Sequence, residues 1–390
     1  MMLDKIKDLR FFFYLIFVFL LPYNNLNLYI GFEIRKVVWF VWIILAIISF
    51  KSCFSIKCIK QFLYPLWLQL LFMACIGLYG HLRYFYSTTL FNYEVVLAIL
   101  FLLMSINELK ININRIQKVY NTFIISLGVL SIFAMLGIGL GINNEETGRL
   151  TIFGSNANDL GNWAVCAIVF CVYSLLHKCN LIMRIIFIIA IPLLLNLVAS
   201  SASRGAFIFL LIVLCLFAIT TNTTQKYKKM ILFILFILIG YLSFIWIMSN
   251  ELMRDRMISF ITEEDTSGRN IIWSIGFSMI VERSICGWGI NGYIQEMTTR
   301  YGEYRSMHNM FLEYWVTSGI VGLFLLCMFF YRFGRRVIKI RKVDNLPLIL
   351  YTLVIMIALK TGGVQASLFF WFLISISIAL SNSLILKSSK

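Results

Sequence analysis

The chain has 390 residues, of which 61% are hydrophobic and 13% are charged. Soluble globular domains are about half apolar and about one quarter charged, so this composition excludes an ordinary soluble domain and predicts a protein of the lipid bilayer. The formal net charge of +16 would indicate a nucleic-acid-binding protein only in a soluble chain. In a membrane protein, the side of the bilayer on which the basic residues lie must be considered first.

Twelve apolar stretches are close to the length of about 20 residues with which a helix crosses a bilayer. They cover 11–28, 37–50, 62–80, 90–106, 119–141, 157–176, 181–199, 205–220, 231–248, 310–331, 346–359 and 364–386. Because the runs are continuous and do not alternate, they favour helices over a β-barrel. No cleavable signal peptide is expected, because Pro22 and several asparagines follow the first stretch.

We therefore predict an all-α integral membrane protein with about 12 transmembrane helices. Its predicted divisions are 1–248 with helices one to nine, 249–308 as one long extracytoplasmic loop with an amphipathic helix, and 309–390 with the last three helices. With the N-terminus in the cytoplasm, 22 of the 34 basic residues fall on the cytoplasmic side. The opposite orientation would invert this bias, so both termini are predicted to be cytoplasmic and the charge is explained by topology, without nucleic acid.

Four polar segments lie on the predicted outer side. They contain Arg149 within 147–159, Arg204 within 201–206, Arg269 within 266–273, and His308 within 308–313. Each segment also has an ordinary interpretation. In the same order, these are a solvated turn, an arginine at a helix end, a solvated first-turn residue and an isolated histidine. Ser267 is the predicted N-cap of a helix that lies on the membrane. The apolar face predicted for that helix comprises Ile271, Ile272, Ile275 and Met279.

The combination of three arginines and one histidine indicates a specific chemistry. The arginine fork matches phosphate geometry, and a neutral imidazole accepts a proton near neutral pH. An anionic substrate with a phosphate leaving group, such as a lipid pyrophosphate, fits these residue types. Glu94 and Glu313 are carboxylates near the outer interface to which the residue pattern alone assigns no role. The GxGxxG pattern at 287–292 predicts a tight turn, since no strand precedes it.

The outer motifs resemble those of the O-antigen ligase and polymerase superfamily. The motif residues are Arg204-Gly205, Gly268-Arg269 with Trp273, Gly287-Trp288-Gly289, and His308-Asn309 with Gly319 and Gly322. Residues 149–161 are also similar to that family's arginine and Asn-Pro-Asn segment, although Ala157 replaces the proline. The resemblance covers roughly residues 149–322.

The resemblance implies a GT-C-like, metal-independent membrane glycosyltransferase without a cofactor, in the bacterial cytoplasmic (inner) membrane. It implies that Arg204 and Arg269, with Arg149 as a weaker addition, bind the pyrophosphate of an undecaprenyl pyrophosphate-linked glycan, and that His308 activates the acceptor hydroxyl. The supporting residues are Asn309, Glu313 and Asn158. Membrane lipid and a chain-length regulator protein are the other expected partners.

Family members either polymerise repeat units into O-antigen or capsular polysaccharide, or transfer a finished chain to lipid A-core. We favour the polymerase, because polymerases are diverse, with one for each glycan structure, and the Ile- and Phe-rich sequence fits such diversity. The ligase is the alternative. A lipid-linked glycan transporter would fit the twelve stretches, but its expected charges at the membrane midplane are almost absent from the sequence. A membrane scaffold would leave the outer arginines unexplained.

Overall fold

The structure of the protein is a computed structural model. It describes residues 2–23, 26, 33–56, 60–84, 86, 93–110, 113–140, 148–177, 179–221, 226–262 and 268–388. Within these ranges the chain is almost entirely helical, and its one β-type contact is an isolated bridge between Leu140 and Ile152. The predicted all-α class is confirmed.

The described residues form sixteen α-helices and one short 3₁₀ helix. The α-helices are α1 (Met2–Leu20), α2 (Ile34–Ile48), α3 (Phe50–Cys53), α4 (Lys60–Tyr84), α5 (Tyr93–Leu109), α6 (Ile113–Met135), α7 (Ala157–Leu176), α8 (Leu181–Ser200), α9 (Arg204–Thr220), α10 (Lys226–Met248), α11 (Glu251–Thr262), α12 (Arg269–Glu282), α13 (Gly289–Tyr301), α14 (Met310–Ile340), α15 (Leu346–Lys360) and α16 (Leu368–Ser388). The 3₁₀ helix is Val364–Ala366.

Within the described ranges, five helices are long and apolar enough to cross a membrane. They lie within α4, α6, α7, α8 and α14, and shorter apolar helices lie within α9, α15 and α16. Large apolar side chains such as Ile188, Ile189 and Phe324 are more than half exposed, which suits contact with lipid. The number of twelve transmembrane helices and the outer position of the long loop stay predictions.

Several boundaries differ from the predicted stretches, and glycine explains two of the differences. Helix α6 ends at Met135, six residues before the predicted end, because Gly137 and Gly139 adopt left-handed backbone with φ of +73° and +76°. The last stretch begins with Gly363 at φ +66° and the 3₁₀ turn, so the continuous helix starts only at Leu368. The segment 249–308 contains α11, α12 and α13 instead of the single helix that was predicted.

The chain packs into two compact units. The first unit comprises 1–54, 107–264 and 341–353, and the second comprises 55–106, 265–340 and 354–390. These units are defined by the packing of the chain. The predicted divisions at 248 and 308 are defined by membrane topology, and they stay predictions.

Helix α7 lies at the centre of the first unit, where it packs against α6, α8 and α9. Nearly every side chain from Ala157 to Ser174 is buried.

At another point of the first unit, the buried Glu108 carboxylate pairs with Arg10 and with Arg115, the latter at 2.9 Å. These ion pairs join α1 to the junction of α5 and α6 and satisfy charges that burial would otherwise penalise.

Helix α14 is the main support of the second unit and packs against α4, α12, α13 and α16. A compact core joins α12, α13 and the start of α14. Its buried residues are Ile272, Met279, Ile280, Trp288, Tyr293, Met297, Met307 and Val316. This core fixes the turn that carries His308.

Candidate functional site

His308 lies in the turn before α14. Its backbone adopts the left-handed region with φ of +48°, which non-glycine residues rarely occupy. The N–H group of His308 donates to Ser306 Oγ at 3.2 Å. The next residue, Asn309, caps α14, since its Oδ1 accepts the N–H groups of Phe311 and Leu312 at 3.0 and 3.2 Å. A strained turn residue is therefore held between a hydrogen-bonded serine and a helix cap.

Burial and nearby cations keep the imidazole of His308 neutral. Burial lowers the pKa of His308 below its usual value, and the charges of Arg269, Arg305 and Lys360 lower it further. At neutral pH the ring is therefore predominantly unprotonated, and one ring nitrogen has a lone pair that can accept a proton.

Arg269 is the first residue of α12, in the first turn as the pattern predicted. Gly268 occupies the N-cap position with left-handed backbone at φ +73°. The predicted N-cap residue, Ser267, lies outside the described residues. Arg269 Nη2 donates to the backbone carbonyl of Lys360 at 3.5 Å, which directs the guanidinium towards the segment after α15.

Only part of the apolar face predicted for α12 is buried against the protein. The buried residues of this helix are Ile272, Gly276, Met279 and Ile280. Ile271 is 58% exposed, and Ile275 is only partly buried. The helix packs on protein, and Trp273 Nε1 donates to the carbonyl of Met307 at 2.8 Å, one residue before His308. Helical periodicity alone does not distinguish a face that contacts protein from one that contacts lipid.

Glu313, in the first turn of α14, carries the buried carboxylate of this site and is 5% exposed. The carboxylate accepts hydrogen bonds from Ser306 Oγ at 2.9 Å, from the N–H of Gly363 at 3.1 Å and from Gln365 Nε2 at 3.0 Å. Because Ser306 Oγ also accepts the N–H of His308, hydrogen bonds run continuously from the carboxylate to the backbone of the histidine. The sequence offered one signal for this role, an ionisable residue inside an apolar helix.

Two glycines of the sequence motifs, Gly287 and Gly319, allow the backbone segments 284–287 and 317–320 to pack closely together. Gly319 interrupts α14 with φ +62° and ψ −168°, and a Cβ there would collide with the carbonyl of Ile285. A Cβ at Gly287 would lie 2.5 Å from the backbone nitrogen of Gly319. Ile320, just after the break, donates its N–H to the carbonyl of Ser284 at 2.8 Å. Gly287 and Gly289 have left-handed backbone, with φ of +70° and +71°, but residues 289–292 of the GxGxxG pattern form the first turn of α13, so the pattern leads into a helix and does not form the predicted tight turn by itself.

A second group of predicted residues lies in the first unit. Arg149 Nε donates to the carbonyl of Ser201 at 3.1 Å, and its Nη2 donates to Asn158 Oδ1 at 3.1 Å. Ser203 Oγ donates to the same Asn158 oxygen at 3.1 Å. Ser203 is the N-cap residue of α9, and Arg204 is the first residue of that helix. We call Arg149, Asn158, Ser203 and Arg204 the arginine cluster.

The charges of other arginines act on Arg149 in the arginine cluster. Burial lowers the pKa of Arg149 to about 10, and the neighbouring charges of Arg256 and then Arg204 contribute to this decrease. Arg204 Nη1 donates to the backbone carbonyl of Arg256 at 3.2 Å. Sequence reasoning missed Arg256, which lies on α11 in a polar stretch that has no recognisable motif.

The seven predicted site residues thus form two groups, one in each unit. Arg149, Asn158 and Arg204 belong to the arginine cluster. The others are Arg269, His308, Asn309 and Glu313, which with Ser306 we call the histidine cluster.

Glu94, which had no role from the sequence, lies in the second unit with the histidine cluster. It lines a cavity of about 190 Å³ together with Glu313, Tyr293, Tyr304 and Gln365. Within the described ranges, no three His, Cys, Asp or Glu residues are grouped so that they could hold a metal ion.

Residues 188–327 match the Wzy_C family model, which is described as O-antigen ligase. The match covers about a third of the chain and supports the resemblance to the O-antigen ligase and polymerase superfamily that the sequence motifs indicated. No curated protein matches the sequence. The matched segment includes Arg204, Arg269 and His308, whereas Arg149 and Asn158 precede it. Together with the apolar helices, the match indicates a multi-pass membrane protein with an enzyme role in the biosynthesis of surface polysaccharide from lipid-linked glycans.

Proposed function

We propose that the protein is a membrane glycosyltransferase that polymerises undecaprenyl pyrophosphate-linked repeat units into O-antigen or capsular polysaccharide. The observation that carries this proposal is the histidine cluster: a neutral imidazole, held in a strained turn, with Arg269 among the cations that act on it. The family match over 188–327 supports the transferase class.

In the proposed reaction, His308 is the general base. A ring nitrogen takes the proton of an acceptor sugar hydroxyl while the hydroxyl oxygen attacks the anomeric carbon of the donor glycan. The bond between that carbon and the diphosphate oxygen breaks, and the diphosphate leaves with the bonding electrons. The products are a new glycosidic bond, undecaprenyl diphosphate and a protonated His308, which later releases its proton to water.

Arginine guanidinium groups are the proposed stabilisers of the departing diphosphate, with Arg204, Arg269 and Arg149 in this role. Charge develops on the leaving oxygens in the transition state, and fixed cations lower the barrier most where water is partly excluded. Because guanidinium groups supply the positive charge, we propose that the reaction needs no metal ion and no organic cofactor.

Three further residues are proposed to position these groups. Glu313 and Asn309 hold the turn of His308 through Ser306 and through the cap of α14. Asn158 orients the guanidinium of Arg149 and also accepts a bond from Ser203.

The proposed setting is the bacterial inner membrane, with both termini in the cytoplasm and segment 249–308 outside. The bias of basic residues supports this orientation. A chain-length regulator protein is the proposed protein partner, and membrane lipid surrounds the apolar helices.

Gel analysis of surface polysaccharide from a deletion strain tests the proposal and separates polymerase from ligase. A lost polymerase leaves lipopolysaccharide with one repeat unit, whereas a lost ligase leaves free lipid-linked polymer and bare core. Complementation with Arg269→Ala or His308→Ala should leave the defect, with normal protein levels in the membrane. A normal polysaccharide ladder from both variants would contradict the transferase assignment.

A further inference from the structure

A cavity of about 600 Å³ lies in the second unit, between α4 and the segment 282–288 that joins α12 to α13. We call it the α4 cavity. None of its lining residues belongs to the histidine cluster. Its volume is within the range of about 300–1,000 Å³ that is typical of ligand sites.

The wall contributed by α4 is mostly apolar and follows one face of the helix. It comprises Phe72, Cys75, Ile76, Tyr79, Gly80 and Tyr84, whose spacings of three, four or five positions are those of a single helical face. Helix α4 is one of the helices that are long and apolar enough to cross a membrane. From position 72 to position 84 the helix rises about 18 Å, close to the roughly 15 Å of hydrocarbon in one leaflet.

The opposite wall leaves this apolar surface accessible. Ile285 is 64% exposed, Tyr79 on α4 is 58% exposed, and Cys75 and Cys286, one on each wall, are exposed thiols. Such a concentration of exposed apolar side chains beside a candidate membrane helix suits a hydrocarbon chain better than water.

A guanidinium group marks the end of the cavity where α4 terminates. The Cζ of Arg283 lies 4.0 Å from the ring centre of Tyr84, the last residue of α4, and 3.8 Å from that of Trp288. Trp288 is itself fixed, because it is buried and its Nε1 donates to the carbonyl of Met279 at 2.8 Å. Aromatic contacts of this kind hold a guanidinium while its in-plane N–H groups stay available to an oxygen ligand.

The carboxylate beside Arg283 is bound by a different arginine. Both oxygens of Glu282 accept N–H groups of Arg300, each at 2.7 Å. Within the described ranges, no hydrogen bond or ion pair joins Arg283 to Glu282 or to another carboxylate. The fork of Arg283 thus presents its charge at the polar end of an apolar cavity, and phosphate oxygens match that fork.

We propose that the α4 cavity binds a membrane phospholipid, with its phosphate at Arg283 and an acyl chain along the apolar face of α4. One cation above an apolar wall of leaflet length fits an amphiphile, and a phospholipid is the amphiphile that the bilayer itself supplies. A sugar would leave the apolar wall uncovered. The proposed lipid site is separate from the histidine cluster and does not depend on the transferase activity.

The test uses the full-length protein purified in detergent, with native mass spectrometry to measure the affinity of bound lipid. The probes are dioleoylphosphatidylglycerol and dioleoylglycerol, which has the same chains but no phosphate. Arg283→Ala and Arg283→Lys test the phosphate contact. Arg254→Ala in the first unit is the matched control, since Arg254 is 46% exposed and lies 3.7 Å from Asp255.

A second pair of variants tests the apolar wall. Cys75→Trp places a large side chain in the cavity at an exposed position, so it should exclude the acyl chain. Cys215→Trp, at an exposed thiol of α9 in the first unit, is the control. In the wild type, bound phospholipid should also slow alkylation of Cys75 and Cys286 by N-ethylmaleimide without slowing that of Cys215.

Arg283→Ala should weaken phosphatidylglycerol binding about tenfold, as expected for loss of a charged hydrogen bond. Arg283→Lys should weaken it less, because the charge remains while the fork is lost. Dioleoylglycerol should bind the wild type about tenfold more weakly than phosphatidylglycerol does. Both control variants should stay within about twofold of the wild type.

Equal affinity for the two probes would overturn the role of the phosphate. Wild-type affinity of both Arg283→Ala and Cys75→Trp would overturn the site. Protection of Cys75 and Cys286 by farnesyl diphosphate, but not by phosphatidylglycerol, would show that the cavity holds a polyprenyl lipid and would overturn the assignment to phospholipid. If gel filtration shows that a variant is not monodisperse, thiol protection in the wild-type protein decides.

Discussion

Arg149 in the arginine cluster is influenced by the charges of Arg256 and Arg204, whereas His308 in the histidine cluster is a neutral base influenced by the charges of Arg269, Arg305 and Lys360. Arg149 stays charged at neutral pH because even a pKa lowered to about 10 lies well above 7. His308 loses its proton under a similar influence, because its usual pKa is already close to neutral. The charges around each cluster therefore support its proposed role, anion binding in the arginine cluster and proton acceptance by His308.

The two clusters also differ in how their side chains are held. Neutral carbonyl and amide oxygens orient Arg149, whereas a buried carboxylate, Glu313, organises the turn of His308. The carboxylate acts through Ser306 and the backbone, so it fixes the position of the histidine without touching the acceptor nitrogen. We expect substitutions of Arg149 or Arg204 to change diphosphate binding, and substitutions of His308 or Glu313 to change the rate.

The largest expected effect is that of His308→Asn. Asparagine tolerates left-handed backbone, so the turn should persist while the base is lost. We expect glycan transfer by the purified enzyme to fall by a factor of about 10² to 10⁴, with little change in affinity for farnesyl diphosphate. His177→Asn, outside both clusters, is the control. Equal losses of binding and turnover would remove the distinction between the clusters.

Glu313→Gln should have the next largest effect. The amide presents an NH₂ group where the carboxylate accepts donors, so the turn of His308 should shift, and a shift of about 1 Å can lower turnover by about a hundredfold. We expect kcat to fall while KM changes little, and Glu313→Asp should retain more activity because it keeps the charge. The control is Glu282→Gln, which removes an exposed carboxylate paired with Arg300 at 2.7 Å. An unchanged kcat would contradict the positioning role.

The pH dependence of the rate is a smaller and more specific test. A base with a lowered pKa is active at neutral pH, and its activity falls only when the pH drops through that lowered pKa. Arg305→Gln removes one of the cations that act on His308, so the pKa should rise and the acid limb of the profile should move to higher pH. We expect a shift of less than about one pH unit, because Arg305 is half exposed and paired with Glu303. A shift to lower pH would contradict the electrostatic account.

Metal removal should have no effect on turnover. If guanidinium groups stabilise the leaving diphosphate, the rate of glycan transfer should be the same within error before and after dialysis against EDTA. Restoration of a lost rate by added Mg²⁺ would show that the arginines do not supply this charge alone.

The sequence predicted the helices well wherever local composition decides the structure. Apolar runs form helices, Arg269 lies in the first turn of α12, and His308-Asn309 directly precedes α14. A helix forms from neighbouring residues, so a pattern of about ten residues carries enough information. The helices α11 and α13 were not predicted because their composition is mixed and packing against the rest of the protein stabilises them.

The sequence did not predict contacts between residues that are far apart along the chain. The break at Gly319 depends on the Ile285 backbone 34 residues earlier, and the carboxylate of Glu313 meets Gly363 and Gln365 some 50 residues later. No local pattern marks such partners. Arg256 was not predicted for the same reason, since its neighbours Arg149 and Arg204 lie on other segments of the chain.

By itself, the sequence determined that the chain is helical and suited to a membrane, and it selected the arginines and the histidine for which we propose a chemical role. These conclusions rest on composition and short motifs, which depend on each residue and its near neighbours. Tertiary structure alone decided which carboxylate is buried, which face of α12 meets protein, and which distant backbone carbonyl, that of Arg256, accepts a hydrogen bond from Arg204. Those outcomes depend on burial and on distances between remote segments, and only the packed fold sets them.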